Sequence, residues 1–305
     1  MIKLNMQTAL ACLVSLAVSG NIMARTASPT LYATEETRDI VGGRKVLVLM
    51  PESIHGSYTK GELEAVAFLF GGMLLESLTE KGIRNQLSRI ADQKVAPLRA
   101  ALAGFEFQQP MQALLTPTIE SSKWVRGQDL EFTRDGTPKN IEQELNDSNT
   151  RQMLAVNANY YTDVKFRSLV VSVESSIYIR KIPKGEYSEV RLRSDYVPFR
   201  QLLRSIVYLP GSDRTTPAEN LARWSADNGK LARQALEIGM QRAGTLFSQN
   251  LDATKESAAV WSKRGKRKSV TELHLFGWVV ERRPDTLLFF SPRDDALNYI
   301  EELKP

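Results

Sequence analysis

The chain has 305 residues, of which 42% are hydrophobic and 25% charged, with a net charge of +5 and one cysteine, Cys12. Such a length buries a sizeable core, as one large domain or two small ones. A single cysteine excludes an internal disulfide and a zinc–thiolate cluster, and the mild charge excess argues against a nucleic-acid binder.

Lys3 is the only charged residue before Arg25. Between them lies an apolar core, Ala9 to Val18, followed by Ser19-Gly20-Asn21-Ile22-Met23-Ala24. A basic start, an apolar core of about 7–15 residues and a small residue at the cut are the marks of a secretory signal peptide. The core is too short for a membrane span, which takes about 20 residues. Residues 1–24 are therefore expected to be removed near Ala24, with Gly20 as a second option for the cut. Cys12 does not fit a lipoprotein cleavage site, because most of the apolar core follows it. The mature chain then has no thiolate nucleophile, and loss of Lys3 lowers its net charge to about +4.

Residues 25–43, with Pro29 and Gly42-Gly43, read as a flexible lead-in. Lys45 to Met50 is a short continuous apolar run ending at Pro51, the pattern of a buried strand. After the loop Glu52 to Tyr58, Thr59 and Glu62 form a capping-box pattern that opens a helix reaching about Gly82. Its centre, Ala65 to Leu75, is apolar on every side. Such a helix is buried in a core or lies against a membrane or partner. Gly71 and Gly72 are expected to face a closely packed neighbour. Next, Ile83, Leu87, Ile90, Ala91, Val95, Leu98 and Leu102 make one helical stripe, which Pro97 kinks or restarts and Gly104 ends. Pro110 opens a shorter helix. Residues 126–150 are polar and read as a surface loop or short exposed helix.

From Gln152 the period becomes two. Leu154, Val156, Ala158 and Tyr160 lead through Thr162-Asp163 to Phe166–Arg180, which reads as a long hairpin. Tyr187 to Val197 alternates again, and Ile206-Val207-Tyr208 is a further short strand. Thr215-Thr216-Pro217 is a helix start. That helix pauses at Asp227-Asn228-Gly229 and resumes to Leu251. Residues 253–269 read as a basic linker. Leu273 to Arg282 and Leu287 to Phe290 form a second hairpin, with a short helix expected from Asp294. The resulting fold class is α+β (mixed α/β). An antiparallel-rich sheet packs against several helices, and an N-terminal strand precedes the apolar helix. The divisions are 1–24 signal, 25–43 lead-in, 44–252 main domain, 253–269 linker and 270–305 C-terminal hairpin and helix.

Two histidines occur, His55 and His274. His274 alternates with Leu273 and Leu275 and reads as a strand surface residue. His55 follows the first strand beside Ser53 and Ser57, and strand C-terminal ends favour ligand sites. A Ser–His–acid hydrolase can be drawn around it. No Gly-x-Ser-x-Gly nucleophile elbow accompanies it, so a loop or capping role is the plainer reading. Asp294-Asp295 and Glu301-Glu302 lack the alternating oxygen ligands and glycine of a calcium loop, and no metal or cofactor is expected. Gly42-Gly43-Arg44-Lys45 precedes its strand and lacks phosphate-loop spacing. Arg180, Arg191, Arg193, Arg200 and Arg204 read as the wet face of a sheet or, less simply, as facing an anionic ligand. The basic run Lys263, Arg264, Lys266, Arg267 and Lys268 is either a solvated loop or a contact for anionic lipid or envelope polymer.

Several of these segments resemble, in kind and order, a group of exported envelope proteins of Gram-negative bacteria. They are the strand Lys45–Met50, the helix with Gly71-Gly72, and the run Ala91 to Phe107 containing Ala96-Pro97-Leu98-Arg99-Ala100-Ala101-Leu102. Trp224, Asp227-Asn228-Gly229, the helix Leu231 to Leu251, and Gly277-Trp278-Val279-Val280-Glu281 follow in the same order. Members are often lipoprotein-like, whereas this chain lacks the cleavage-site cysteine. The group carries no established activity, so the resemblance implies location and a mixed α/β fold. The expectation is a periplasmic envelope protein with a non-catalytic binding or assembly role. Its partner is an envelope protein or an anionic polymer or lipid surface, not nucleic acid, and the mature chain has no transmembrane helix. The alternative is a periplasmic hydrolase using His55 with Ser53 or Ser57.

Overall fold

A computed structural model describes residues 31–38, 44–51, 53–56, 91–125, 129–134, 141, 143–145, 152–179, 199–263, 268–270, 275–291 and 295–304. The strands are β1 (Arg44–Leu49), β2 (Asp129–Thr133), β3 (Gln152–Thr162), β4 (Ser168–Ile179), β5 (Phe199–Tyr208), β6 (Lys268–Val270), β7 (Leu275–Arg282), β8 (Thr286–Ser291) and β9 (Ala296–Glu302). The helices are α1 (Glu35–Arg38), α2 (Ala96–Ala101), α3 (Gln108–Ser121), α4 (Pro217–Asn250) and α5 (Lys255–Lys263). The fold is mixed α/β. Its strands are ordered β2-β1-β3-β4-β5-β9-β8-β7-β6. β1 runs parallel to both β2 and β3, and β9 runs parallel to β5. The remaining neighbours are antiparallel.

Val46 to Leu49 of β1 form an unbroken apolar run because the strand is covered on both faces. Val46 and Val48 enter the main core, while Leu47 and Leu49 enter a second cluster with Ile141, Leu145, Met153 and Ala155. Lys45 is also held on that second side, by ion pairs to Glu131 and Glu144. Burial pulls the Lys45 pKa down, the bonds to the two glutamates outweigh it, and the net direction is up. The expected β3–β4 hairpin is present, with Thr162 opposite Leu169. Asp163 closes its turn by accepting from the backbone N–H of Ser168 at 2.9 Å. β5 is longer than the expected Ile206–Tyr208 segment. Phe199, Leu203 and Val207 point into the main core, so Arg200 and Arg204 alternate onto the opposite face.

The main core lies between the sheet and α2, α3 and α4, around Trp224, Phe199 and Phe247. Pro97 sits in the first turn of α2 and restarts the helix there. α4 opens with a complete capping box, Thr216 accepting from the Glu219 N–H and the Glu219 carboxylate accepting from the Thr216 N–H. The expected pause is a break in the helix: Asp227, Asn228 and Gly229 have φ of +52°, +54° and +71°. Arg233 ties it down, donating to the Asn228 carbonyl at 3.1 Å and to the Ala101 and Ala103 carbonyls at 3.0 and 2.8 Å.

Three local expectations are corrected. The short helix from Asp294 is strand β9, whose Leu297 enters the main core while Ile300 enters a cluster with Val170, Ile206, Leu287 and Phe289. Period-two alternation wins over the acidic, helix-like start because β9 has a partner on each edge. The stretch 126–150 contains β2, anchored by Leu130 and Phe132, and the helical Ile141 and Leu145, which are buried. Most of the expected basic linker is α5, begun by reciprocal bonds between Thr254 and Ser257. The signal segment, the apolar helix with Gly71 and Gly72, and Tyr187–Val197 lie outside the described residues. Among the described residues no helix is long and apolar enough to cross a membrane.

Candidate functional site

Sheet topology singles out one position. The β1-to-β2 connection carries α2 and α3, whose Leu98, Met111 and Leu115 pack in the main core. The β2-to-β3 connection carries Ile141 and Leu145, which pack on the opposite face. The two connections therefore leave on opposite faces, and the strand order reverses beside β1. The space beyond the C-terminal ends of β1 and β3 is a topological switch point, where open sheets with parallel strands take ligands.

His55 occupies that position. Its N–H donates to the Tyr160 carbonyl and its own carbonyl accepts from the Thr162 N–H, both at 3.4 Å, so the loop extends alongside β3. The His55 ring is about half exposed, with Nδ1 3.8 Å from Asp92 Oδ1. Arg99 donates to that same carboxylate oxygen at 3.2 Å and to the Ile54 carbonyl at 3.1 Å. One guanidinium thus ties the loop to the helical segment, while its Nε is buried with no hydrogen-bond partner among the described residues. Gly56 sets the closeness of this approach. A Cβ there would lie 2.3 Å from the Ala91 carbonyl oxygen.

Tyr160, whose carbonyl holds His55, has an aromatic surround. The Tyr160 ring stacks at a tilt on Phe107, centroids 4.3 Å apart, and meets Phe105 edge-on at 6.3 Å. Burial pushes the Tyr160 hydroxyl up to about 12, against the pull of Arg99, so it stays a protonated phenol at ordinary pH. On the β2 side, Gln108 donates to the Met50 carbonyl at 3.4 Å and accepts from Arg134 at 3.5 Å.

The arrangement presents an imidazole and a guanidinium on either side of one carboxylate, above a protonated phenol. It offers donors to an anionic or carbonyl group. It also has the outline of an Asp–His pair, in which the carboxylate faces Nδ1 and Nε2 turns away. The structure brings Asp92, Arg99 and Tyr160 to His55. It does not bring Ser53 into hydrogen bonding with His55, and Ser57 lies outside the described residues. Asp92 and Arg99 were present in the sequence only as two polar positions seven apart on the apolar stripe's helix. That spacing, two helical turns, puts both on one side.

Few of the other candidates fall among the described residues. Lys263 ends α5 and Lys268 opens β6, while Arg264, Lys266, Arg267 and His274 lie outside the described residues. Arg200 donates to Glu174 at 2.6 Å. Arg180, Arg191 and Arg193 also lie outside the described residues. Glu301 pairs with Arg242 at 3.2 Å. Among the described residues no group of three or more His, Cys, Asp or Glu side chains is placed to hold a metal ion. The fold and site together define a mixed α/β protein with a polar cluster, His55, Asp92 and Arg99, at its strand-order reversal. Comparison with protein-family models, curated proteins and solved structures finds no match for the chain.

Proposed function

We propose that the protein is exported to the periplasm and acts there by binding, with the His55 cluster turned toward its ligand. The observation that carries the binding site is the placement of His55, Asp92 and Arg99 at the β1/β3 switch point. Export rests on the N-terminal segment, with its lone Lys3, apolar core and Ala24. Binding is preferred to turnover because Asp92 shares its carboxylate with Arg99 and because Ser53 makes no bond to His55. The resemblance to envelope proteins supports the same address. The partner is an envelope protein or an anionic polymer or lipid surface, with Lys263, Arg264, Lys266, Arg267 and Lys268 as its basic contact.

A hydrolase based on His55 is the second reading, favoured by the carboxylate facing Nδ1. A panel of ester, peptide and glycan substrates separates the two. The purified protein is expected to stay silent; turnover that His55→Ala abolishes overturns the binding reading. Crosslinking in the native envelope identifies the captured molecule, and His55→Ala together with Arg99→Gln is expected to reduce that capture. N-terminal sequencing of the mature protein is expected to begin near Arg25, and a retained Met1 refutes the export assignment.

A further inference from the structure

The same end of the sheet carries a second hollow, past β4. It has a volume of about 340 Å3 and lies between the ends of β5 and β9, the β7–β8 turn and the loop after β5. That is within the roughly 300–1,000 Å3 of small-molecule sites. Strand register sets its contents. Tyr208 is opposite Glu302, Ile300 opposite Leu287, and Leu287 opposite Arg282, so these side chains share one face. Leu287 and Ile300 are buried and make an apolar floor.

Most charges around the hollow are already matched. Arg283 pairs with Glu281 at 2.6 Å, Asp285 with Lys304 at 3.0 Å, and Glu301 with Arg242 at 3.2 Å. Asp213 lies 4.0 Å from Arg214. Arg167 gives its Nε to Asp163 at 3.3 Å. Arg282 and Glu302 differ: each lines the hollow with no ion pair among the described residues. Tyr208 supplies a hydroxyl that burial keeps protonated, with Arg167 and Asp163 acting in opposite senses on it.

One cation and one anion, unmatched among the described residues, over an apolar floor are complementary to a zwitterion with an apolar side chain. We propose that this hollow binds an α-amino acid or dipeptide with free termini, its carboxylate on Arg282 and its ammonium on Glu302. The site is separate from the His55 cluster and does not depend on the reading given to it.

Calorimetric titration of the mature protein tests this with four probes: leucine, leucyl-leucine, N-acetyl-leucyl-leucine and leucyl-leucine amide. Leucine or leucyl-leucine is expected to bind saturably, the better of the two identifying the length accepted. Either cap is expected to weaken binding at least tenfold. Arg282→Gln is expected to erase the preference for the free acid over the amide, and Glu302→Gln the preference for the free amine over the acetylated peptide. His55→Ala is expected to change neither. Both variant positions are exposed, and an unchanged melting temperature verifies folding. The proposal is overturned if neither uncapped probe binds saturably, if capped and uncapped peptides bind equally, or if the two variants retain both preferences.

Discussion

At Gly56 a single missing methyl group holds the candidate site together. The Ala91 carbonyl oxygen would stand 2.3 Å from a Cβ at that position, and backbone atoms cannot swing aside as a flexible side-chain end can. Gly56→Ala is therefore expected to lower stability by about 1–3 kcal/mol and to part the His55 loop from Asp92, as read by urea denaturation. Tyr160 gives a second residue-level expectation. Its folded pKa is about 12, against about 10 for an unfolded chain. The folded state holds the phenolic proton more tightly, so this contribution is complete below pH 10 and is lost as pH rises from 10 toward 12. The loss is of order 2–3 kcal/mol, and Tyr160→Phe is expected to remove that part of the alkaline decline in urea melts. His55 was legible from the sequence because it follows an obvious strand. Asp92 and Arg99 were not, because nothing local says that a helix interrupted at Pro97 returns its polar side to that loop.

The elements divide according to how local their causes are. Thr215, Thr216 and Pro217 place their helix start locally, and the structure adds a capping box through Glu219. Thr216→Ala is expected to cost about 1 kcal/mol, measured by thermal unfolding. The break at Asp227-Asn228-Gly229 was equally readable, since all three residue types tolerate left-handed backbone. The structure adds why it persists: Arg233 bonds across it to the end of α2, and Gly229 abuts the Ala101 carbonyl. Gly229→Ala meets both a φ of +71° and an oxygen 3.0 Å from its new Cβ, so a loss of about 1–3 kcal/mol is expected. Asn228→Gly relieves a left-handed non-glycine residue and is expected to hold or raise the melting temperature. β9 and β2 escaped the sequence reading for the opposite reason. Their alternation is brief, and what makes them strands is the neighbouring strand, one on each side of β9 and β1 alone beside β2, which a single sequence does not display.

The whole molecule shows the same division. Mixed α/β composition and the β3–β4 hairpin were visible in periodicity, whereas the parallel pairing of β1 with β2 and β3, and of β5 with β9, is a property of distant partners. The C-terminal hairpin is consequently no appendage: β9 lies between β5 and β8, with Phe289, Leu297 and Ile300 buried there. Deleting residues 295–305 is expected to abolish the cooperative melt of the whole protein, not to trim a peripheral piece. Circular dichroism of the truncated chain checks this, and a native-like melting temperature would contradict it.

The place of β9 also has a consequence in time. β9 follows β5 and β8 in the chain, yet it fills the slot between them. Until β9 docks, β5 carries an open hydrogen-bonding edge and the sheet stays in two unjoined parts. A sheet built this way is joined only when β9 is in place.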